Sequence, residues 1–112
     1  MVTTVNNKYQ AKTINLEKAL SRTQFLANRT PNHSDNTQGG SAYATLSEFG
    51  NGGMYVANYA GFSEWERHPH GDEMVQVLEG ETCLVLRIDD QEAPNKIKAG
   101  EAINVAQGSW QL

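Results

Sequence analysis

The apolar residues near the N-terminus recur at roughly helical spacing. In the segment NLEKALSRTQFL, Leu16, Ala19, Leu20 and Leu26 recur at this spacing. This spacing predicts an α-helix over residues 15–26, with Asn15 as the N-cap because its side chain can accept a backbone N–H of the first turn. The next segment, NRTPNHSDNTQGGS at 28–41, is almost wholly polar and rich in turn-forming residues. We therefore expect one short helix followed by a long surface loop or arm.

Beyond Gly40 the pattern changes to short apolar runs that are separated by turn residues. Runs rich in Val, Tyr, Ile and Leu alternate with Gly, Asn, Asp and Pro, which is typical of an all-β protein. The segments GNGG, EGE, DDQEAP and AGE supply the positive or fixed φ that tight turns need. Because a flat open sheet would leave long unprotected edges, so many short strands must close into a barrel or pack as two sheets. The predicted strands are 42–49, 54–60, 63–67, 73–79, 82–89, 95–99 and 102–106.

The predicted strand at 73–79 carries apolar residues on both faces. With a period of two, the odd-numbered residues from Glu73 to Val77 share one face, and the even-numbered residues from Met74 to Leu78 share the other. Such a strand fits a two-layered barrel. In the following strand we interpret Cys83 as a small packed residue, because no cationic neighbour or helix N-terminus would activate it as a nucleophile.

Length and charge restrict the architecture and the partners. A chain of 112 residues is the size of one domain with a single core. We divide this domain into an N-terminal helix and polar arm at 1–40 and a barrel core at 41–112. Nine basic and thirteen acidic residues give a formal net charge of −4. No block of Lys and Arg could neutralise a run of phosphates, so we expect no nucleic-acid partner.

The chain shows no targeting or membrane segment by sequence. The opening MVTTVNNKYQ has neither a basic start nor an apolar core, so it does not resemble a signal peptide. No run of about 18 apolar residues could form a transmembrane helix. The single cysteine, Cys83, cannot form an internal disulfide. We therefore expect a cytoplasmic protein with no membrane partner.

One segment concentrates the side chains that could carry chemistry. The stretch EWERHPHGDEMVQVLEGE contains His68, His70 and Glu73, flanked by Glu66 and Asp72. Imidazole and carboxylate groups together suit Fe, Mn, Ni, Cu or Zn, and such a cluster at the ends of neighbouring strands can converge on one ion. A histidine pair beside a turn is also common in solvated loops, so the local spacing leaves both interpretations open.

Two stretches resemble the two motifs of the cupin superfamily. Residues 61–80, GFSEWERHPHGDEMVQVLEG, are similar to the first motif, in which a Gly is followed by a His-x-His pair, a Glu and a closing Gly. Residues 100–111, GEAINVAQGSWQ, are similar to the second motif, whose usual form is Gly, five residues, Pro-x-Gly, two residues and His. The spacing from Glu73 to the closing glycine fits the first motif, and Gly100 and Gly108 fall on the glycines of the second. The resemblance covers about half of the chain and implies a single all-β jelly-roll barrel.

The resemblance also implies which positions of the first motif would hold a metal ion. With Trp65 and Glu73 aligned, the first metal histidine of the family falls on Glu66 and the second on His68. His70 is therefore out of phase with the pair of the family. Of the two histidines and the glutamate expected in this motif, the chain has one histidine and the glutamate.

The second motif departs further from the family pattern. Its usual proline falls on Ala106 and its histidine on Gln111. A glutamate can ligate a divalent ion, whereas a glutamine oxygen is a weaker, neutral ligand. We expect at most one weakly bound divalent ion, Fe, Mn, Ni or Zn, and the alternative is a metal-free site joined by hydrogen bonds. The predicted metal ligands are Glu66, His68, Glu73 and Gln111.

Two more residues are candidates for binding a small organic ligand. Trp110 could line the mouth of the barrel with an apolar wall and one N–H donor. His70 would reach the same site if its short loop bends inward.

Cupins share one fold but have many functions, so the function has to be inferred from the residues of the site. The missing histidines favour a binding or regulatory module that takes a small organic ligand in its barrel. The retained His68 and Glu73 favour instead a metal-dependent enzyme, an oxygenase or isomerase acting on a small polar metabolite. A purely structural role is the third class. Because small cupins are usually dimers and the chain stops just after the second motif, we expect a homodimer. The exposed strand edge would be covered by the N-terminal segment of the same subunit or by that of the second subunit.

Overall fold

The structure is a computed structural model that describes residues 11–31 and 42–112. These residues form one short helix and ten strands, which confirms the mostly-β class and the single helix. The helix is α1 (Leu16–Ser21), and the strands are β1 (Leu26–Arg29), β2 (Tyr43–Phe49), β3 (Gly52–Ala57), β4 (Tyr59–Gly61), β5 (Glu66–Arg67), β6 (Glu73–Gln76), β7 (Glu81–Ile88), β8 (Gln91–Lys98), β9 (Ala102–Val105) and β10 (Trp110–Gln111). Most of the predicted polar arm, residues 32–41, lies outside the described residues, as do residues 1–10.

Helix α1 is shorter than the predicted helix, which extended to Leu26. Asn15 is the N-cap, and its Oδ1 accepts the backbone N–H of Lys18 at 2.9 Å. The helix ends early because Thr23 bonds back to the carbonyl of Leu20 through both its backbone N–H and its hydroxyl. Leu26 instead begins β1, a strand that the sequence did not predict. Within the described residues no helix is long and apolar enough to span a membrane.

The strands form four separate sheets. β5, β10, β7 and β8 lie side by side in that order as one antiparallel sheet, and β6 pairs antiparallel with β9. β2 pairs antiparallel with β3, whereas β1 pairs in parallel with β4. Across residues 11–31 and 42–112 these sheets do not close into a barrel, so the jelly-roll arrangement stays a prediction.

The hairpin of β7 and β8 differs from the sequence prediction. We expected a long turn, DDQEAP, and a strand that begins only at residue 95. The turn instead consists of Asp89 and Asp90, whose φ angles of 51° and 63° fit the type I′ turn of a two-residue hairpin. The prediction was wrong at this point because β8 continues through Pro94, a residue that usually interrupts strands.

Pro94 is accommodated because of its place on the sheet edge. Val85, its cross-strand neighbour on β7, directs both its N–H and its C=O to Leu112 on the other side, at 2.9 Å each. Val85 and Pro94 are therefore a pair that exchanges no hydrogen bonds, and the proline nitrogen faces outward from the edge strand. No ladder hydrogen bond is lost.

The predicted strands at 54–60 and 63–67 are also corrected. The first divides into β3 and β4, and only the last two residues of the second are a strand. β10 was not predicted. The parallel pairing of β4 with β1 depends on Gly61, whose φ is +125° and which lies opposite Arg29. A Cβ at Gly61 would come closer than 3.0 Å to the Arg29 backbone, so only glycine allows the two chains to approach this closely.

The core lies between the β7–β8 hairpin and the β6–β9 pair. Leu84, Ile97 and Val105 are buried and packed together, with the partly buried Val75, Val77, Leu86 and Ile103 around them. The assignment of residues to the two faces of β6 is confirmed, because Val75 packs against this core. The expectation that both faces lie inside a two-layered barrel is wrong for the other face, where Met74 is 68% exposed. Cys83 corrects another expectation: it is exposed rather than packed, because its neighbour Leu84 faces inward.

A second cluster packs around a buried arginine in β1. The guanidinium carbon of Arg29 lies 4.4 Å from the ring centre of Tyr59 and 5.6 Å from that of Tyr43. Its Nη2 lies 3.7 Å from a carboxylate oxygen of Glu64. Burial raises the pKa of Tyr43, an effect that the nearby Arg29 charge partly opposes. These contacts hold β1, β2 and β4 together.

Candidate metal centre

Three of the predicted ligands converge at one end of the two-layered core. Glu66 is the first residue of β5, His68 directly follows that strand, and Glu73 is the first residue of β6. Each offers one ligand atom, and these atoms lie within 4.8 Å of one another. This group could hold a metal ion.

Gln111 links the two layers at this site. In β10 it lies opposite Glu66 on β5 and opposite Leu86 on β7, and it is only 4% exposed. Its side-chain Nε2 donates a hydrogen bond of 2.9 Å to Oε2 of Glu73. Because Glu73 belongs to β6, this bond connects the four-stranded sheet with the β6–β9 pair.

His68 contacts both carboxylates through the same nitrogen. Its Nε2 contacts Oε2 of Glu73 and lies 3.6 Å from Oε1 of Glu66. The side chains of His68 and Glu66 are about half exposed, at 48% and 47%, while that of Glu73 is 32% exposed. The cluster is therefore open to solvent on one side and closed by Gln111 on the other.

One spacing among these atoms suits a divalent ion, whereas Nε2 of His68 and Oε2 of Glu73 are in direct contact. Bonds from nitrogen and carboxylate oxygen to such ions are about 2.0–2.2 Å long, so neighbouring ligand atoms on one ion lie roughly 3–3.6 Å apart. The distance of 3.6 Å between Nε2 of His68 and Oε1 of Glu66 falls at the upper end of this range. In the described part of the chain, the hydrogen bond from Gln111 and the contact with His68 both use Oε2 of Glu73, which leaves Oε1 for an ion.

A set of hydrogen bonds fixes the loop that carries His68. The backbone N–H of Gln107 donates to Oδ1 of Asp72 at 2.8 Å, and the Asn104 amide donates to Oδ2 at 3.2 Å. Gln107 also donates from its side chain to the carbonyl of Pro69 at 2.6 Å. The backbone N–H of Gly108 donates to the carbonyl of His68 at 2.9 Å. The loop between β5 and β6 is thus held against the turn between β9 and β10.

The charge of Asp72 is stabilised by the same bonds. The backbone N–H of Gln107, and after it the side-chain amide of Asn104, lower the pKa of the Asp72 carboxyl below its ordinary value. Asp72 is therefore ionised at neutral pH and acts as an acceptor that holds the loop. It is absent from the group of converging ligand atoms.

The two candidates for ligand binding lie elsewhere. Trp110 precedes Gln111 in β10, so its side chain points to the opposite face of the sheet, where it is 43% exposed. His70 is exposed in the turn between β5 and β6 and is not among the converging ligand atoms. The structure thus brings together Glu66, His68, Glu73 and Gln111, and places the other two outside the cluster.

Sequence reasoning missed the supporting role of Gln107. Its contacts with Asp72 and Pro69 join positions more than thirty residues apart, and no local pattern announces them. Asp72 was noticed only as a neighbour of the histidines. The sequence feature that could have drawn attention to it is its place directly before Glu73, where a carboxylate can accept backbone N–H groups from an adjacent turn.

Comparison with known proteins adds no relative. No family model matches the chain, and neither the curated proteins nor the solved structures include a significant match.

Proposed function

We propose that this chain is a small single-domain cupin of the jelly-roll type that holds a divalent metal ion weakly and binds a small organic ligand, as a binding or regulatory module in the cytoplasm. The observation that carries the proposal is the convergence of Glu66, His68 and Glu73 within 4.8 Å. The two motif-like stretches and the mostly-β class support the family. The residues that would hold the ion are those three, with Gln111 beside them.

The donor set determines which ions are preferred. Two carboxylates and one imidazole are harder ligands than three histidines. The affinity for Mn²⁺ and Fe²⁺ therefore rises relative to the affinity for Ni²⁺ and Zn²⁺. Gln111 presents its N–H₂ to Glu73 and so serves in this structure as a hydrogen-bond donor that orients Glu73. A set with so few imidazole ligands predicts weak, reversible binding.

The organic ligand would enter from the exposed side. The half-exposed side chains of Glu66 and His68 leave that side of the cluster open. A bound divalent ion with free coordination positions acts as a Lewis acid and accepts oxygen atoms such as those of a carboxylate. A small acid with a carboxylate and a neighbouring oxygen fits such positions.

The two exposed histidines provide a matched test of the metal site. Titration of the metal-free protein with Mn²⁺ in a calorimeter should show one binding event that His68→Ala abolishes and His70→Ala leaves unchanged. Both substitutions remove an exposed imidazole from the same loop, so the difference reports the position of the ligand. The proposal would be contradicted if both variants lost Mn²⁺ binding equally, or if the unaltered protein bound no divalent ion at millimolar concentration.

The second candidate function is a metal-dependent oxygenase or isomerase that acts on a small polar metabolite. The observation in its favour is the open side of the cluster, because catalytic metal sites keep a coordination position free for the substrate. Glu66 or Glu73 could then transfer a proton at a carboxylate oxygen. Turnover of a bound small acid by the metal-loaded protein would favour this function over the binding module.

We also propose that the protein forms a homodimer. The support comes from large apolar side chains that are more than half exposed, because such groups cluster at protein interfaces. Among the described residues they are Phe25, Phe49, Tyr55, Phe62, Met74 and Ile88. Sedimentation velocity of the full chain should give the mass of two copies, and a single species with the mass of one copy would refute the dimer.

A further inference from the structure

The four-stranded sheet has a second face that the metal site does not use. On this outer face, Trp110 of β10 lies in register between Arg67 of β5 and Arg87 of β7. The opposite face carries Gln111 and the core residue Leu84. Trp110 is 43% exposed, and both arginines are exposed, so this face is open to solvent in the described part of the chain.

Each arginine on this face is held over a tryptophan ring. The guanidinium carbon of Arg67 lies 5.2 Å from the ring centre of Trp110, and that of Arg87 lies 5.0 Å from the ring centre of Trp65. Such cation–π contacts restrict the long arginine side chains. The edges of the guanidinium groups remain free, and each can bind a carboxylate through two parallel hydrogen bonds.

The outer face is basic although the chain as a whole is acidic. By the alternation of β7 and β8 it carries the cations Arg67, Arg87, Lys96 and Lys98 and the carboxylates Glu81 and Glu92. No side chain of these four cations takes part in an ion pair with any described residue. Four unpaired cations on one face of a protein with net charge −4 are complementary to an acidic partner.

We propose that this face, centred on Arg67, Trp110 and Arg87, docks an extended acidic peptide segment of a partner protein. Each of the two arginines receives one carboxylate of the peptide, and Trp110 between them contacts the intervening residues. Single-stranded nucleic acid fits less well, because the guanidinium groups of Arg67 and Arg87 already lie against the two tryptophan rings and leave less ring surface on which bases could stack. This peptide site is separate from the metal cluster and shares no residue with its candidate ligands.

The spacing of the strands suggests a suitable probe. Arg67 and Arg87 lie two strands apart, which corresponds to about 9.6 Å. A polyproline II helix repeats every three residues, with a rise of about 9.3 Å per turn. A peptide of repeated Glu-Pro-Pro triplets therefore presents carboxylates on one side at nearly the same spacing, with proline rings to contact Trp110.

The test is fluorescence anisotropy with this peptide, labelled with fluorescein, and the full chain. We expect saturable binding that weakens as salt is raised, and no binding of the matched Gln-Pro-Pro peptide. Arg67→Gln and Arg87→Gln should each weaken binding about tenfold, since a charge-assisted pair contributes about that much. The double variant Lys18→Gln/Arg22→Gln, which removes charge near helix α1 on another part of the chain, should bind as the unaltered protein does.

Four results of the anisotropy measurements would overturn the proposal. They are the absence of binding to the acidic peptide, equal binding of the Gln-Pro-Pro peptide, tighter binding of oligothymidylate than of the acidic peptide, and equal weakening by the Lys18/Arg22 control. If Arg87→Gln abolishes a dimer in sedimentation, the face is occupied by a second copy and the proposal is also wrong. Urea unfolding of the Arg87→Gln variant, compared with that of the unaltered protein, checks that the variant is folded.

Discussion

Gln111 donates a hydrogen bond to Glu73 over a sequence separation of 38 residues, and the acceptor is the same oxygen that contacts His68. The bond originates from a nearly buried amide in β10 and ends on the first residue of β6. It therefore fixes the position of one carboxylate relative to the other candidate ligands. Loss of a group that orients a metal ligand in this way typically lowers metal affinity, although less than loss of the ligand itself.

Removing the amide should weaken metal binding without abolishing it. We expect Gln111→Ala to raise the dissociation constant for Mn²⁺ about tenfold, because loss of an orienting hydrogen bond typically reduces affinity by 10–100-fold. Calorimetric titration measures the change. Gln76→Ala on the exposed side of β6 is the control and should bind as the unaltered protein does. Equal affinity of Gln111→Ala and Gln76→Ala would show that Gln111 does not support the site.

Replacing the amide with imidazole should change the preferred ion. In Gln111→His a second imidazole lies beside Glu73, and nitrogen ligands favour Ni²⁺ and Zn²⁺ over Mn²⁺. We expect the dissociation constant for Zn²⁺ to fall at least about tenfold, with a smaller change for Mn²⁺. Competition between the two ions provides the measurement. An unchanged ratio of the two affinities would place residue 111 outside ligand range.

Asp72 should make stability depend on acidic pH. Its pKa in the folded protein is lowered below the ordinary 3.8, so its contribution to the free energy of unfolding is complete above pH 3.8. The contribution is lost as the pH falls through the lower pKa of the folded state. Urea unfolding at neutral pH should show the chain to be more stable than Asp72→Asn, and the difference should disappear in strong acid. If the difference in the free energy of unfolding stays constant with pH, the charge of Asp72 does not contribute to stability.

Gly61 should tolerate no side chain. Gly61→Ala forces a non-glycine residue into a φ of +125° and pushes its Cβ against the Arg29 backbone, so we expect destabilisation by about 3 kcal/mol. Gly71→Ala is the matched control, since its added Cβ has open space around it. Its expected effect is within about 0.5 kcal/mol. Chemical denaturation of the two variants measures both values, and equal stability of the two would refute the close approach of β1 to β4.

The parts of the fold that the sequence predicted are those with local causes. The faces of β6 follow from alternation, because Val75 belongs to a buried row and Met74 to an exposed one. The N-cap of α1 follows from the chemistry of Asn15. The parallel pairing of β1 with β4 depends on Arg29 and Gly61, which are distant in sequence, so no local pattern could reveal it.

The same distinction applies to the candidate site. The resemblance to the cupin motifs brought forward Glu66, His68 and Gln111, although Glu and Gln replace histidines at two of these positions. The distances between these side chains depend on the register of β5 with β10. This register could not be predicted, because β10 itself was not among the predicted strands. The contacts of Gln107 with the loop have the same origin. Side-chain types can be predicted from a motif, whereas their convergence requires the tertiary pairing.

The two-residue turn at Asp89 and Asp90 has a consequence for the order of folding. A hairpin closed by so short a loop forms within microseconds, whereas pairings between distant segments have to wait for slower loop closure. The β7–β8 hairpin contains Leu84 and Ile97, so it can provide the nucleus on which β6 and β9 condense. Substitutions at Leu84 should slow folding, while substitutions at Gln111 should mainly accelerate unfolding, as stopped-flow kinetics would show. The cluster of Glu66, His68 and Glu73 would then assemble last, and the metal binding proposed for it would report on completed folding.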